Sequence, residues 1–317
     1  MKVLVTNDDG VESAGLHALV RALVDDGRDV LVVAPDRDMS GSGAAIGQIH
    51  IDEHIDADKV ELPGLPGVPA YAVDGPPGLC VLAARRGGFG DPPDVVVSGI
   101  NPGCNTGRAV LHSGTVGAAL TAANFGGRGL AISIDVASRR IQEQGGASVT
   151  PVAGGQEAAA EVVEAPDDEP DDGVAGDDVD ERRTGDRSLP EPGSPRHWET
   201  AAGVAAAAVG WLIASPKGTV LNLNVPDVPA DRLAGARPAT LAPFGTVRSS
   251  VVESAEDGGR LQMELRPTEA DLPPDCDTAL VAAGFVAVSA ITGIQLDGDV
   301  DVSGVLDAVV AEARRSA

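Results

Sequence analysis

Two neighbouring carboxylates, Asp8 and Asp9, follow the apolar run Lys2–Thr6 within Asn7-Asp8-Asp9-Gly10. Carboxylates this close repel unless a cation or a proton lies between them, and Gly10 permits the tight turn that aims both at one point. Hard oxygen donors of this kind suit Mg2+ or Mn2+. The same four residues are also ordinary turn chemistry, with an aspartate available to cap the next helix. Taken alone, the pair leaves turn and metal site both open.

Three further polar loops supply possible company. Pro35-Asp36-Arg37-Asp38-Met39-Ser40-Gly41-Ser42-Gly43 carries hydroxyls and backbone amides. It has neither the Lys-Ser/Thr of a P-loop nor the G-x-S-x-G of a nucleophile elbow, which leaves Ser40 as a neutral oxygen ligand. In Ser98-Gly99-Ile100-Asn101-Pro102-Gly103-Cys104-Asn105, Asn101 offers an amide oxygen that adds no negative charge, and Asn105 can donate to a phosphate oxygen. A plain Gly/Asn/Pro turn accounts for that segment equally well. His112-Ser113-Gly114-Thr115-Val116 precedes an Ala-rich helix. Its hydroxyls can cap the helix, while the free N–H groups and the helix dipole there form an anion site.

A phosphate at that helix start, beside a metal on the first loop, would have its charge and its leaving oxygen stabilised. A divalent ion polarises a phosphoryl oxygen and acidifies water, so hydrolysis of a phosphate ester is the chemistry indicated. Asp8 or Asp9 could instead act as base or attack phosphorus, but aspartyl-nucleophile phosphatases separate their two aspartates by one residue. Adjacent aspartates converge more naturally on one ion, so ligand roles are favoured. His112, beside the anion loop, is a candidate contact to phosphate or leaving group. His17, His50 and His54 lie in settings that suit structural or surface roles.

These loops need strands to hold them, each at a strand's carboxyl end, where open α/β sheets bind ligands. Short β-branched runs alternate with helical patterns over the first 135 residues, the signature of βαβ units. Strands are expected at Lys2–Thr6, Asp29–Ala34, Tyr71–Asp74, Asp94–Ser98 and Leu130–Ile134. Helices are expected at about 14–26, from Pro76-Pro77 onward, and from about Thr115 to Asn124. A helix from His197 to about Ala214 and a strand Val220–Val225 follow; hairpins, a strand Phe285–Ala290 and a helix from about Ser303 to Arg315 close the chain. The fold class is α/β, a Rossmann-like, mostly parallel sheet with helices on both faces and a smaller carboxyl-terminal β-rich extension. Residues 1–136 form the core with every metal and phosphate motif, 137–197 an acidic disordered insert, and 198–317 the remainder. The first βα turn, NDDGVESAG, lacks G-x-G-x-x-G, which argues against a dinucleotide-dependent oxidoreductase.

Of the 317 residues, 43% are apolar and only 2% aromatic, a mix suited to a buried sheet covered by helices. The formal charge of −25 opposes nucleic acid and anionic membranes as partners. Residues 150–192 hold fourteen acids and three arginines, hence −11 of that charge. With so few large apolar side chains this stretch cannot offset the entropy of ordering. Cys80, Cys104 and Cys276 show no metal-type spacing and suit a reducing compartment. No signal-peptide pattern opens the chain, and the Ala-rich stretch from Ala201 to Ala214 is too short to span a bilayer. The expectation is a soluble cytoplasmic protein.

Strand-NDDG, APDR-x-x-SG, SGIN-x-G-x-N and SGTV-x-A-A, in this order, resemble the SurE family of metal-dependent 5′/3′-nucleotidases. The likeness is dense over residues 1–135 and resumes with LNLNVPDVP and DTALVAAGFVAVSAIT. It implies one Mg2+ or Mn2+ per subunit on Asp8, Asp9, Ser40 and Asn101, with phosphate contacts at Asn105, Ser113, Gly114 and Thr115. It also implies nucleoside 5′- and possibly 3′-monophosphate substrates and a homodimer or homotetramer built through the carboxyl-terminal region. Met39 departs from the basic or polar residue common there in the family. The acidic insert has no counterpart, and Arg237–Leu272 is only vaguely similar. The alternative is a non-catalytic nucleotide- or metal-binding module.

Overall fold

The computed structural model describes residues 1–47, 54–136, 197–243 and 272–293, together with the backbone of strands 247–253 and 262–267. The expected insert, His50 and the closing helix lie outside the described residues. By internal packing the chain divides into one unit of Met1–Arg139 with Arg196–Ala317 and a second of Arg140–Pro195. Every described strand and helix belongs to the first unit.

Strands β1 (Lys2–Thr6), β2 (Asp29–Pro35), β3 (Ala57–Val60), β4 (Ala70–Val73), β5 (Val95–Pro102), β6 (Arg128–Asp135) and β7 (Val220–Pro226) come first in the chain. They are followed by β8 (Gly235–Pro238), β9 (Val247–Glu253), β10 (Gln262–Pro267) and β11 (Phe285–Ile291). Nine of them make one sheet in the order β3-β4-β2-β1-β5-β6-β7-β11-β8, and β9 and β10 form an antiparallel pair. From β4 to β7 every neighbouring pair is parallel. β3 runs antiparallel to β4, β11 antiparallel to β7, and β8 parallel to β11. The α/β sheet read from the sequence is present.

Helices α1 (Ala14–Asp25), α2 (Pro77–Arg85), α3 (Gly114–Asn124), α4 (Trp198–Ala214) and α5 (Asp277–Ala282) accompany the strands. Alternate strand residues face opposite ways. Val3, Val5, Val97 and Ile132 pack with Leu16 and Leu19 of α1 and with Ala205 and Leu212 of α4. Leu4, Leu31 and Val96 pack on the other side with Cys80 and Val81 of α2 and Ala118 of α3. Both faces are covered, which is why the central strands read as unbroken apolar runs rather than alternating ones.

Local sequence sets the helix starts. Ser13 Oγ accepts the Leu16 N–H at the start of α1. Pro77 opens α2, where its missing N–H costs nothing. Asp227, just past β7, accepts both the main-chain N–H and Nδ1 of His197 and so fixes the entry to α4. The first turn of α3 is small and tightly packed, since a Cβ on Gly117 would run into the Gly43 carbonyl.

Two expectations need correction. β5 does not stop at Ser98: pairing with β6 resumes at Asn101 and Pro102 after a register irregularity between Ser98 and Asn101. Asn101 therefore sits on a strand and not in a free loop. The His112–Val116 segment follows no strand; it follows a 3-10 turn, Gly107–His112, within the connection from β5 to α3.

Candidate active site

β1 lies between β2 and β5, so the strand order reverses beside it, and its carboxyl end opens on the crevice where such sheets hold ligands. Asn7 closes the turn there: buried, it donates through Nδ2 to Gly10 O at 3.0 Å and to Ser13 Oγ at 2.7 Å. The second loop is laced to the first, because Met39 N–H donates to Asp8 O at 2.7 Å and Val11 N–H to Pro35 O at 2.8 Å. Arg37 ties that loop outward through ion pairs to Asp36 at 2.9 Å and Asp74 at 2.8 Å. Asp74 and Asp36 together push the exposed Arg37 guanidinium above its ordinary pKa.

Asp8 is 4% exposed, and Thr115 Oγ1 donates to its Oδ1 at 2.5 Å. Burial pushes the Asp8 carboxyl above its ordinary range, against the opposing pull of the Thr115 hydroxyl and the N–H groups of Asp8 and Thr115. The negative group held at the start of α3 is thus Asp8 itself. Ser113 Oγ caps the same helix by accepting Val116 N–H at 3.1 Å. Gly114 touches the carboxylate closely: a Cβ there would stand 2.8 Å from Asp8 Oδ2 and 2.7 Å from Ser42 Oγ. Gly43 N–H donates to His112 O at 3.2 Å, closing the second loop onto the fourth.

The remaining candidates fall in different settings. Asp9 is half-buried next to Asp8. Ser40 is exposed, and both its Oγ and its N–H donate to Asp38 Oδ1, at 2.6 and 2.8 Å. Asn101 is half-buried and donates through Nδ2 to Gly103 O at 2.7 Å. Asn105 turns to the sheet, with Nδ2 donating to Ser133 Oγ at 2.8 Å. His112 is exposed. His17 Nε2 lies 3.0 Å from Val11 O, a local role in keeping with expectation.

The donor set fits a hard cation. Thr115, Ser40 and Asn101 each direct a proton at another protein atom, so what Asp8, Ser40 and Asn101 can present to a ligand is oxygen lone pairs. Among the described residues no group of three or more His, Cys, Asp and Glu side chains converges. A cation here therefore needs the hydroxyl and amide oxygens as well as the two carboxylates.

Some residues that hold the candidate loops in place escape sequence reasoning. Asn222 and Asn224 of β7, both fully buried, hold the main chain of Asn105. Asp277, also fully buried, accepts the N–H groups of Gly107 at 2.9 Å, Ala242 at 3.0 Å and Thr278 at 2.8 Å. The available signal was polar residues alternating with leucine in LNLNVP. In a strand buried on both faces, that alternation marks internal partners and not solvent.

A family model described as Survival protein SurE matches residues 3–246. The chain belongs to the SurE family. Over 136 residues it is 46% identical to the protein named 5′-nucleotidase SurE of Dehalococcoides mccartyi, covering 43% of this chain and 49% of that one. The chain thus spans about half the length of such curated relatives. A longer match, 29% identical over 296 residues and 92% of each chain, joins it to the protein named 5′-nucleotidase SurE of Aeromonas hydrophila. The crystal structure of the SurE protein from Aquifex aeolicus shares the fold, with a TM-score of 0.65 at 23% identity over 98% of this chain and 100% of that one. No helix among the described residues is long and apolar enough to cross a membrane.

Proposed function

We propose that this SurE-family chain is a divalent-cation-dependent phosphomonoesterase that hydrolyses nucleoside 5′-monophosphates, and 3′-monophosphates as a second class, to nucleoside and phosphate. The observation that carries the reading is the contact between Asp8 and the first turn of α3. It sets a desolvated carboxylate against a helix start suited to anions. The relatives named 5′-nucleotidase support the substrate class.

Asp8, Asp9, Ser40 and Asn101 would hold Mg2+ or Mn2+, which supplies positive charge at the phosphoryl oxygens and acidifies water. The residues of the chain do the positioning. Thr115 fixes one carboxylate oxygen of Asp8, and Asn7 fixes the turn that carries Asp8 and Asp9. Gly114, with no side chain, lets the Asp8 carboxylate and Ser42 Oγ pack directly on the first turn of α3. Asn105, Ser113 and Thr115 would contact the phosphoryl group, and His112, exposed ahead of α3, would pass a proton to a leaving oxygen. A formal charge of −25 opposes binding to nucleic acid or anionic membranes and favours a small ester held through a cation. Work as a cytoplasmic homodimer or homotetramer is part of the same proposal, and three free cysteines suit that compartment.

The test replaces Asp9 with Asn and assays a nucleoside monophosphate with Mn2+. Loss of a preorganised charge at a reacting centre costs on the order of 100-fold or more in turnover. Near wild-type turnover would remove Asp9 from the site. Wild-type hydrolysis that vanishes with chelator and returns with metal separates the enzyme from a binding module.

A further inference from the structure

Asn222 and Asn224 project from the same face of β7, opposite the face on which Leu221, Leu223 and Val225 join the core. Both are fully buried, an unusual place for two amides in a strand. Their partner is not another strand but the main chain of Asn105. Asn224 Oδ1 accepts the Asn105 N–H at 2.8 Å. The Asn105 carbonyl accepts from Asn222 Nδ2 at 2.8 Å and from Asn224 Nδ2 at 3.0 Å. One donor and both lone pairs of this peptide are thereby occupied, and Ser133 on the neighbouring strand takes the Asn105 side chain.

The tether comes at a cost that a purely structural strand would avoid. Asn222 Oδ1 is buried with no hydrogen-bond partner among the described residues. An aliphatic side chain would remove that orphan oxygen and suit a strand interior. What Asn222 does supply is one N–H to the Asn105 carbonyl. The tethered peptide lies between Asn101 and the Ser113–Thr115 turn, and Gly107, two residues on, is held by Asp277. The segment linking the proposed metal and phosphate residues is therefore held from β7 and α5 as well as by its own turn contacts.

We infer that Asn222 and Asn224 are positioning residues for the hydrolytic site, setting through the Asn105 main chain where the second Nδ2 proton of Asn105, the first being spent on Ser133, meets the phosphoryl group. The inference rests on the nucleotidase reading. Neither asparagine needs to touch substrate.

The experiment measures kcat and KM for a nucleoside 5′-monophosphate with saturating Mn2+ in Asn222→Ala, Asn224→Ala, Asn105→Ala and the Asn105→Ala/Asn224→Ala pair. Melting curves confirm that each is folded at the assay temperature. Asn224→Ala is expected to lower kcat/KM at least tenfold, and Asn222→Ala, which keeps both Asn224 bonds, about threefold. The half-saturating Mn2+ concentration should stay within twofold, a result that general loosening of the fold would not give. Because Asn224 acts through Asn105, adding Asn224→Ala to Asn105→Ala should change kcat/KM by less than twofold. Full additivity of the two losses, or single variants within twofold of wild type, overturns the inference. Should Asn224→Ala fail to fold, Asn222→Ala decides it, and wild-type kinetics there overturn it. A wild-type chain with no turnover defeats the nucleotidase reading instead, and this inference falls with it.

Discussion

Gly114→Ala adds one methyl group at the point where α3 meets Asp8. The new carbon would sit 2.8 Å from Asp8 Cβ and Oδ2 and 2.7 Å from Ser42 Oγ, whereas ordinary contact begins at 3.4 Å. Asp8 or the helix must then yield by 3.4 − 2.8 = 0.6 Å. Overpacking of this kind costs about 1–3 kcal/mol, and alanine recovers about 1 kcal/mol over glycine within a helix. The net loss is about 0–2 kcal/mol, so the melting temperature should fall by no more than about 8 °C. Activity has no such compensation. A misplacement near 1 Å at a reacting centre costs about 100-fold, so kcat/KM for a nucleoside monophosphate with Mn2+ should fall roughly tenfold or more. Gly203→Ala is the control: Gly203 lies in α4 with nothing within 4 Å of a built Cβ. It should raise the melting temperature and leave kcat/KM unchanged. A Gly114→Ala enzyme within twofold of wild type would refute the placement of chemistry at the Asp8–α3 contact.

Asp8→Asn should abolish turnover yet raise the melting temperature in chelator at pH 7. Burial lifts the Asp8 carboxyl above its unfolded value, so its contribution favours the fold below the unfolded pKa and is lost as pH rises through the folded one. The gap between variant and wild type should therefore narrow on acidification toward pH 4; a gap independent of pH refutes the assignment. Burial pushes the Cys80 thiol up to about 12. At pH 8 its thiolate fraction is on the order of 10⁻⁴, so iodoacetamide should label Cys80 only after denaturation, as mass spectrometry of digests would show. Replacing residues 150–192 with a short Gly/Ser linker should leave kcat/KM within twofold, since His197, beyond that stretch, is fixed by Asp227. Lost activity in a folded deletion variant would give the acidic stretch a role.

The strands that read clearly in the sequence are those whose burial forces their composition. β1, β2 and β6 are buried along nearly their whole length and appear as KVLVT, DVLVVAP and RGLAISID. β3 and β8 were not legible for the opposite reason. ADKV and GARP are almost wholly exposed, so no apolar pattern marks them, and only their pairing with β4 and β11 makes them strands. Gly99 and Pro102 read as punctuation that ends β5 at Ser98, yet the pairing with Ser133 and Ile134 carries the strand past the irregularity. At the site, residue types disclosed which oxygens were on offer but not how their protons are spent. Nothing in SGTV says that the Thr115 hydroxyl belongs to Asp8 and not to a ligand.

That allocation bears on how the two halves of the site depend on each other. Asp8 takes the Thr115 amide and hydroxyl at the start of α3, donors that a phosphate would also seek, so the buried carboxylate and an incoming anion compete for them. Two negative groups at one helix start repel unless a cation lies between them. Binding of phosphate and of metal should thus be coupled: the ion relieves the repulsion, and without it Asp8 fills the anion position. The same logic accounts for neutral donors elsewhere in the set. Ser40 and Asn101 would extend the oxygen shell without adding charge beside Asp8, which burial already penalises. The carboxyl-terminal residues complete the frame, because Asn222, Asn224 and Asp277 hold the segment between Asn101 and Ser113. The motifs cluster in the first 115 residues, but the segment between Asn101 and Ser113 is held from more than 100 positions downstream.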